Sequence, residues 1–323
     1  MKHTIYYFLL LMPLLACSQG DINRMKGIDI KHAVKRLENF SDEPIYQIRI
    51  NTPYAYTILI NGIPIANKNV PYLNNYLTEI NSCIPSKGEQ QLDIRIYPQY
   101  TDLTTRKAFL EDGMDFELVI ERTAWKDGSL EEPDVIYSYR LPEGDYTGQK
   151  SFIHTDVFTA TVPYELIDWR KGQTFDEQDT TVLKEKAVKV YEELISYYEN
   201  QHGEAYVNAI GQGLFNLYQS SYFGEEEALD HIDHTISFIN KSKRDLAELE
   251  DFELQILANG KLLSLKRTDG YNRGEGVLRR YYHKGPKEMV HVYEMLLYAP
   301  PSSAEDHGLD VIWYNNLVKG AKR

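Results

Sequence analysis

The sequence predicts a mostly β protein in two parts, an all-β sandwich domain over residues 45–170 and an α+β domain over residues 180–320. Short runs in which apolar and polar residues alternate fill the first part, and this is the two-residue period of a half-buried strand. An Asn-Gly pair separates two such runs at Asn61-Gly62 and again at Asn259-Gly260. Near Thr180 the apolar residues change to a helical spacing, and strands return afterwards.

The first domain begins with the alternating strand Tyr46–Ile50. Asn61-Gly62 follows the next strand and predicts a two-residue hairpin turn, because both residues tolerate a positive φ. Pro64 cannot donate to a backbone ladder, so the returning strand is expected at a sheet edge. Further strands are predicted at residues 92–97, 116–120, 135–139 and 152–162. This order of strands resembles the immunoglobulin-like accessory domains of envelope proteins, which implies an immunoglobulin-like sandwich.

The second domain is expected to begin with three helices. The first is amphipathic and ends near His202-Gly203, the second covers Gly203–Phe223, and the third covers Glu225–Lys241. Strands are predicted afterwards at residues 252–257, 262–266, 277–283, 290–298 and 309–314. Helices followed by an antiparallel sheet resemble the cone-shaped domains of the nuclear-transport-factor superfamily. That resemblance implies a cone whose open end hosts a ligand or a partner.

The amino end has the pattern of a secretory signal, with Lys2 followed by an apolar run over residues 5–16. This run is shorter than the roughly 20 apolar residues that a membrane-spanning helix needs. Leu14-Leu15-Ala16-Cys17 resembles the lipobox of bacterial lipoproteins, in which the cysteine sulfur receives diacylglycerol. The resemblance implies a signal peptide over residues 1–16, lipid on Cys17, and a lipidated tether over residues 17–44. The alternatives are an ordinary signal with a chance cysteine and a buried apolar start.

The expected location is the periplasmic side of the outer membrane. Ser18 follows the cysteine, and the lack of Asp at that position resembles outer-membrane sorting in enteric bacteria. Lipid chains contribute roughly 0.8 kcal/mol per buried CH₂, so several of them would hold the chain on the membrane.

Charge and cysteine usage narrow the choice of partners. The chain has 48 acidic and 35 basic residues, which excludes nucleic acid as a bulk partner because phosphate binding needs a basic footprint. Lipidation of Cys17 leaves Cys83 without a partner for a disulfide, so Cys83 is interpreted as a buried thiol. Tyrosine is abundant at 25 residues, which suits strand faces and binding surfaces alike.

No catalytic signature and no cofactor are predicted. Glu227, His231 and His234 form the one candidate metal cluster, because residues three and four apart share one side of a helix. A solvated acidic helix is the favoured interpretation, since the apolar residues of that helix point elsewhere and the zinc-protease pattern is lacking. No metal site is therefore predicted.

Charge is spread unevenly over the second domain. Residues 261–288 hold eight basic and three acidic residues, whereas residues 222–254 hold ten acidic and three basic ones. Internal electrostatic complementarity is the favoured explanation. The functional explanation is a docking face for an acidic protein or an anionic glycan, and its predicted core is Lys266, Tyr271, Arg279, Arg280, Tyr281 and Tyr282.

These observations lead to a protein-binding module anchored in the outer membrane as the first hypothesis. Its plan resembles periplasmic immunity lipoproteins that neutralise type VI secretion effectors, which implies a protein partner. The alternatives are an enzyme or ligand carrier with a pocket in the second domain, and an envelope scaffold. A cavity lined by ionisable groups would favour the ligand carrier or enzyme, and a flat basic-aromatic face would favour the protein-binding module.

Overall fold

The computed structural model describes residues 27–68, 74–102, 105–126, 128–175, 179–242, 246–301 and 308–321. These residues form fourteen strands in three antiparallel sheets, together with five α-helices. The prediction of a mostly β chain is confirmed. The predicted signal peptide and Cys17 lie outside the described residues. No helix in the described ranges is both long enough and apolar enough to cross a membrane.

Two sheets occupy the amino-terminal half. The first contains β1 (Pro44–Asn51), β4 (Asn75–Glu79), β6 (Glu117–Lys126), β7 (Ser129–Leu130) and β8 (Asp134–Arg140). Its order is β4-β1-β6-β7, and β8 also pairs with β6. The second contains β2 (Ala55–Ile60), β3 (Ile63–Lys68), β5 (Gly88–Tyr97) and β9 (Phe152–Ala160), in the order β3-β2-β5-β9.

The alternating residues of these sheets meet in one hydrophobic core. Ile48 and Ile50 of β1 and Ile94 and Ile96 of β5 are fully buried members of this core. Cys83 is buried beside them, as predicted, and burial raises the pKa of its thiol to about 12. The two sheets therefore pack face to face, because each buries the apolar side of its alternating strands.

The first Asn-Gly turn has the predicted geometry. β2 and β3 pair as a hairpin, and Asn61 (φ 50°) and Gly62 (φ 79°) both lie in the left-handed region. β3 is the edge strand of its sheet, as Pro64 predicts. Asn61 also donates a hydrogen bond from its amide to the Cys83 carbonyl (2.8 Å), which joins the turn to the sandwich.

The carboxyl-terminal half contains four helices and the third sheet. The helices are α2 (Thr180–Glu199), α3 (Gly203–Ala209), α4 (Gly211–Ser220) and α5 (Glu225–Lys241). The strands are β10 (Phe252–Leu257), β11 (Leu262–Arg267), β12 (Leu278–Lys284), β13 (Lys287–Tyr298) and β14 (Asp310–Gly320). The sheet order is β10-β11-β13-β12, and β14 pairs along the other edge of β13.

The predicted second helix is wrong in one respect, because the chain forms α3 and α4 with a break at Ile210. The predicted end of the first helix near His202-Gly203 also suggests Gly203 as its C-terminal cap, and this is wrong because α2 is capped at Asn200. Gln201 has the left-handed conformation (φ 59°), and Gly203 is already the first residue of α3. Gly203 is required by close packing instead, since a Cβ there would lie 2.7 Å from the Ile236 carbonyl oxygen.

The third sheet is the middle layer of the molecule. On β11, Leu263 and Leu265 pack against the helices, whereas Leu262 joins the core of the sandwich. On β13, Leu297 likewise packs against the helices and Leu296 packs against the sandwich. Both faces of this sheet are therefore buried at its centre.

The predicted tether over residues 17–44 needs correction for its described part. Residues 30–33 form the short helix α1 (Ile30–Ala33), in which Ile30 and Ala33 are buried against the helical layer. The backbone N–H of Ile28 donates to the Asn208 carbonyl (3.0 Å), and that of Ile30 donates to Asn208 Oδ1 (3.1 Å). This segment is an integral part of the fold, because apolar side chains and backbone groups hold it against α3.

Candidate functional site

A pocket of about 370 Å³ lies between the helices and the third sheet, and we call it the tyrosine–histidine pocket. Its helix wall consists of Tyr198, Tyr206, Ile210, Leu214, His231, His234, Thr235, Phe238 and Ile239. Its sheet wall consists of Arg280, Tyr282, His291, Tyr293, Tyr314, Asn316 and Val318. The volume falls at the lower end of the range of roughly 300–1,000 Å³ that is usual for small-molecule sites.

The register of β12, β13 and β14 determines which side chains form the sheet wall of the pocket. Arg280, His291 and Val318 are direct neighbours across β12, β13 and β14, and Tyr293 and Asn316 form the next row of the same face. Residues two apart on a strand share a face, so these rows present their side chains to the helices. Val318 is 48% exposed, which puts its row at the rim of the pocket.

Tyrosine side chains form the deep end of the pocket. Tyr206, Tyr293 and Tyr314 are buried, and burial raises the pKa of each phenol above its usual value. Their hydroxyls therefore stay protonated and can donate hydrogen bonds at physiological pH. The Tyr206 hydroxyl has no partner of full hydrogen-bond geometry among the described residues. The neighbouring phenols of Tyr314 and Tyr293 raise its pKa further, and Tyr314 does so in part through a weak side-chain hydrogen bond.

His291 carries a second buried atom without a hydrogen bond. Its ring stacks on Tyr293 with centres 4.5 Å apart, and its Nε2 has no hydrogen-bond partner among the described residues. Burial lowers the pKa of His291, a side-chain hydrogen bond with Asn316 raises it, and the charge of Arg280 lowers it, with a net decrease. The imidazole is therefore neutral at neutral pH, because its usual value is 6.5.

Within the helix wall, α5 contributes His231, His234 and Phe238. His231 is exposed as a whole residue, but its Nδ1 lies 2.8 Å from the Tyr218 hydroxyl. Loss of solvent on that side lowers the pKa of His231, the nearby His234 lowers it further, and Glu227 opposes both. His231 therefore forms a hydrogen bond with the phenol of Tyr218.

The structure does not assemble the candidate metal cluster. Glu227, His231 and His234 all lie on α5, but the described residues contain no group of three or more His, Cys, Asp or Glu side chains that could hold a metal ion. Two of the three residues instead line the tyrosine–histidine pocket.

The guanidinium of Arg280 contributes a positive charge to the lining of the pocket. Its guanidinium carbon lies 5.0 Å from the centre of the Phe238 ring and 5.1 Å from that of Tyr282. Aromatic faces attract a cation through the ring quadrupole, so these rings hold the guanidinium between α5 and β12. Among the described lining residues no side chain is Asp or Glu.

The predicted basic docking face is wrong at its centre. Lys266 is 6% exposed and forms an ion pair with Glu294, and Arg279 is 1% exposed and forms one with Glu275. Arg279 also donates to Asn272 Oδ1 (2.9 Å). Carboxylates of the protein itself neutralise both cations, and burial removes them from the surface, so they do not form the centre of a docking face.

The rest of that predicted face is divided by the strand period. Arg280 and Tyr282 point to the helix side and line the pocket, whereas Arg279 and Tyr281 alternate with them on β12. Tyr271 lies apart, in a short turn before the strand, and is half-buried. The prediction grouped these residues because they are close along the chain. In the structure they lie on opposite faces of the third sheet.

Ion pairs connect the basic window to the acidic window only at Arg267 among the described residues. Besides the two buried pairs, the guanidinium of Arg267 lies 3.4 Å from a carboxylate oxygen of Glu250 and 3.7 Å from one of Asp251. Both acids belong to the acidic window that precedes β10. Of these three cations only Arg267 pairs with the acidic window, because Glu294 and Glu275 lie outside residues 222–254. For the rest of the basic window the favoured electrostatic interpretation stays a prediction.

A second cleft of about 750 Å³ lies where the two Asn-Gly turns meet. A Cβ on Gly62 would lie 2.3 Å from the Cα of Ala258, so the turns are in close contact. None of its lining residues carries one of the described buried side-chain atoms that lack a hydrogen bond. Three of its five charged side chains have partners within the protein, one of them being Arg170 with Asp168. Lys261 donates to the Gly172 carbonyl (2.7 Å), and Asp93 accepts from Thr155 (2.7 Å). The larger cleft is therefore the weaker candidate for a ligand site.

Sequence reasoning missed Tyr206, His291, Tyr293 and Tyr314. One signal was available, since His291 and Tyr293 are two apart on a predicted strand and put polar atoms on a face that would otherwise be apolar. Comparison with protein-family models, with curated proteins and with solved structures finds no match for this chain.

Proposed function

We propose that this chain is a lipid-anchored envelope protein that binds a small molecule in the tyrosine–histidine pocket. One observation carries the proposal. Of five buried side-chain atoms without a well-formed hydrogen bond among the described residues, Tyr206 Oη and His291 Nε2 belong to residues that line this pocket. A buried polar group left unpaired costs about 1–3 kcal/mol, so a ligand that supplies partners to both atoms recovers that cost.

The lining supports this proposal through its chemistry. Aromatic rings supply apolar area, while hydroxyls, imidazoles and an amide supply a few directional contacts, which is the usual composition of small-molecule sites. The ligand-carrier hypothesis is therefore favoured over the protein-binding module, whose predicted basic centre is buried.

The architecture that we propose for this function has two parts. The face-to-face packing of the first two sheets supports an immunoglobulin-like sandwich. The position of α2–α5 on one side of the third sheet supports an α+β cone with the pocket at its open end. The lipobox-like Leu14-Leu15-Ala16-Cys17 supports anchoring at the periplasmic side of the outer membrane.

Two adjacent residues of β14 allow a matched test. Val318 lines the pocket and is 48% exposed, whereas its neighbour Leu317 does not line it and is 50% exposed. The full chain in detergent is screened against a small-molecule panel by thermal unfolding. Val318→Trp should abolish the stabilisation by any hit, because the indole fills the rim, and Leu317→Trp should retain it. Hits that are equally sensitive to both substitutions, or to neither, would place binding elsewhere.

A protein-binding function is the second candidate, and one observation favours it. Trp125 is 61% exposed and pairs across the β6–β7 turn with the exposed Leu130. An exposed Trp is typical of interaction hot spots. A partner that co-purifies with the full lipidated chain and is lost with Trp125→Ser would support this candidate. A partner that Trp125→Ser retains would exclude the Trp125 surface.

A further inference from the structure

We infer that the tyrosine–histidine pocket takes a flat aromatic ligand with a hydroxyl group at each end. This inference rests on the proposed function and adds the chemical class of the ligand. It depends on two buried polar atoms of the pocket, on their separation, and on the rings that line the space between them.

The Tyr206 hydroxyl is the polar group at the deep end of the pocket. Tyr206 is 1% exposed, and among the described residues its hydroxyl has no well-formed hydrogen bond, since its contact with the Tyr314 hydroxyl is weak. Burial holds the pKa of this phenol well above its usual value, so the group keeps its proton and can both donate and accept. A ligand group at this point would therefore gain a hydrogen bond that the fold itself makes poorly.

His291 presents the second polar atom, nearer the rim. Its Nε2 is buried and lacks a well-formed hydrogen bond among the described residues. The ring is neutral at neutral pH, so Nε2 donates in one tautomer and accepts in the other. A ligand hydroxyl suits both tautomers, because one small oxygen carries a donor and an acceptor, whereas a carbonyl accepts only and an ammonium donates only.

Strand register puts the two polar atoms at different depths. Tyr293 lies one row below His291 on β13. Met295 is in the following row, and its partner on β14 is Tyr314. Each row is two residues, or about 7 Å, further along the strands. The hydroxyl of Tyr206 is close to that of Tyr314, so Tyr206 and His291 need separate hydrogen-bonding groups, one at each end of the ligand.

The walls select the body of the ligand. Phe238, Tyr293 and Tyr314 contribute rings to the lining, and the volume is about 370 Å³. Aromatic rings pack on one another in offset or edge geometries that add to the gain from burial. A fused bicyclic ring with hydroxyls on opposite ends, such as 2,6-dihydroxynaphthalene, therefore combines the required size, body and polar groups.

Two probes of nearly identical shape test the inference. The full chain in detergent is titrated by calorimetry with 2,6-dihydroxynaphthalene and with 6-methyl-2-naphthol, in which a methyl group replaces one hydroxyl. Partition of each probe into detergent micelles provides the blank. We expect the diol to bind about fivefold more tightly, which is the gain from one additional hydrogen bond of ordinary strength.

A matched pair of variants assigns that preference to the deep end. Tyr206→Phe should remove it, because the second hydroxyl then faces a phenyl ring. Tyr191→Phe should retain it, since Tyr191 is equally buried but does not line the pocket, and its hydroxyl donates to the Met295 carbonyl (3.4 Å). Thermal unfolding of both variants checks that they are folded.

The outcomes separate this inference from the proposed function. Equal affinity for the two probes, or tighter binding of the methyl compound, overturns the assignment of a hydroxyl to each end. A preference that survives Tyr206→Phe, or that Tyr191→Phe removes equally, overturns it as well. Failure of both probes to bind overturns the aromatic class. In each of these cases, hits from the panel that Val318→Trp abolishes would still support a ligand pocket, whereas their absence would also contradict the proposed function.

Discussion

Tyr206→Phe removes a single oxygen from the deep end of the tyrosine–histidine pocket. The hydroxyl is buried and makes no well-formed hydrogen bond with any described residue, since its contact with the Tyr314 hydroxyl is weak. An unpaired buried polar group costs about 1–3 kcal/mol, so its removal should raise the free energy of unfolding of the ligand-free chain by about 1 kcal/mol. The same change should weaken ligand binding, because the phenol is a donor that the ligand uses.

Tyr198→Phe is the matched control, since Tyr198 is equally deep and lines the same pocket. Its hydroxyl donates to Ser242 Oγ (3.1 Å), so the loss of this hydrogen bond should lower the free energy of unfolding by about 1 kcal/mol. Urea unfolding of the full chain, followed by circular dichroism, measures both variants. If Tyr206→Phe destabilises the chain as much as Tyr198→Phe, the Tyr206 hydroxyl has a partner in the fold. The observation that carries the proposed function would then be lost.

Two further predictions concern pH and a buried ion pair. Burial lowers the pKa of His291 below its usual 6.5, so its contribution to stability is present above pH 6.5 and is lost as the pH falls through the folded-state value. Between pH 7.5 and pH 5, the melting temperature of His291→Gln should therefore fall less than that of the wild type. The control is His283→Gln, at an exposed position, whose melting temperature should fall as much as that of the wild type. Arg279→Ala should destabilise the chain by about 3 kcal/mol in urea unfolding, against less than about 1 kcal/mol for Lys107→Ala at an exposed pair. Similar losses in the two alanine variants would contradict the burial of Arg279.

Local patterns in the sequence were sufficient to predict most of the secondary structure. The Asn61-Gly62 hairpin was predictable because a two-residue turn requires positive φ at both positions, and the chain offers few residues that accept it. α5 was predicted with its observed bounds, since three glutamates begin it and an apolar stripe continues through it. β4 was missed because almost all of its residues are exposed, so no apolar alternation marks it.

What the sequence by itself determined is therefore local: the β-rich class, the turns, the helical segments and the lipobox-like start. The tertiary structure alone decided the site. Arg279 and Arg280 are adjacent in the chain, yet one is sealed in an ion pair and the other lines the pocket, because neighbours on a strand face opposite ways. Tyr206 and His291 meet in one pocket only because the helical layer packs on the third sheet, and residues so far apart in sequence leave no local pattern.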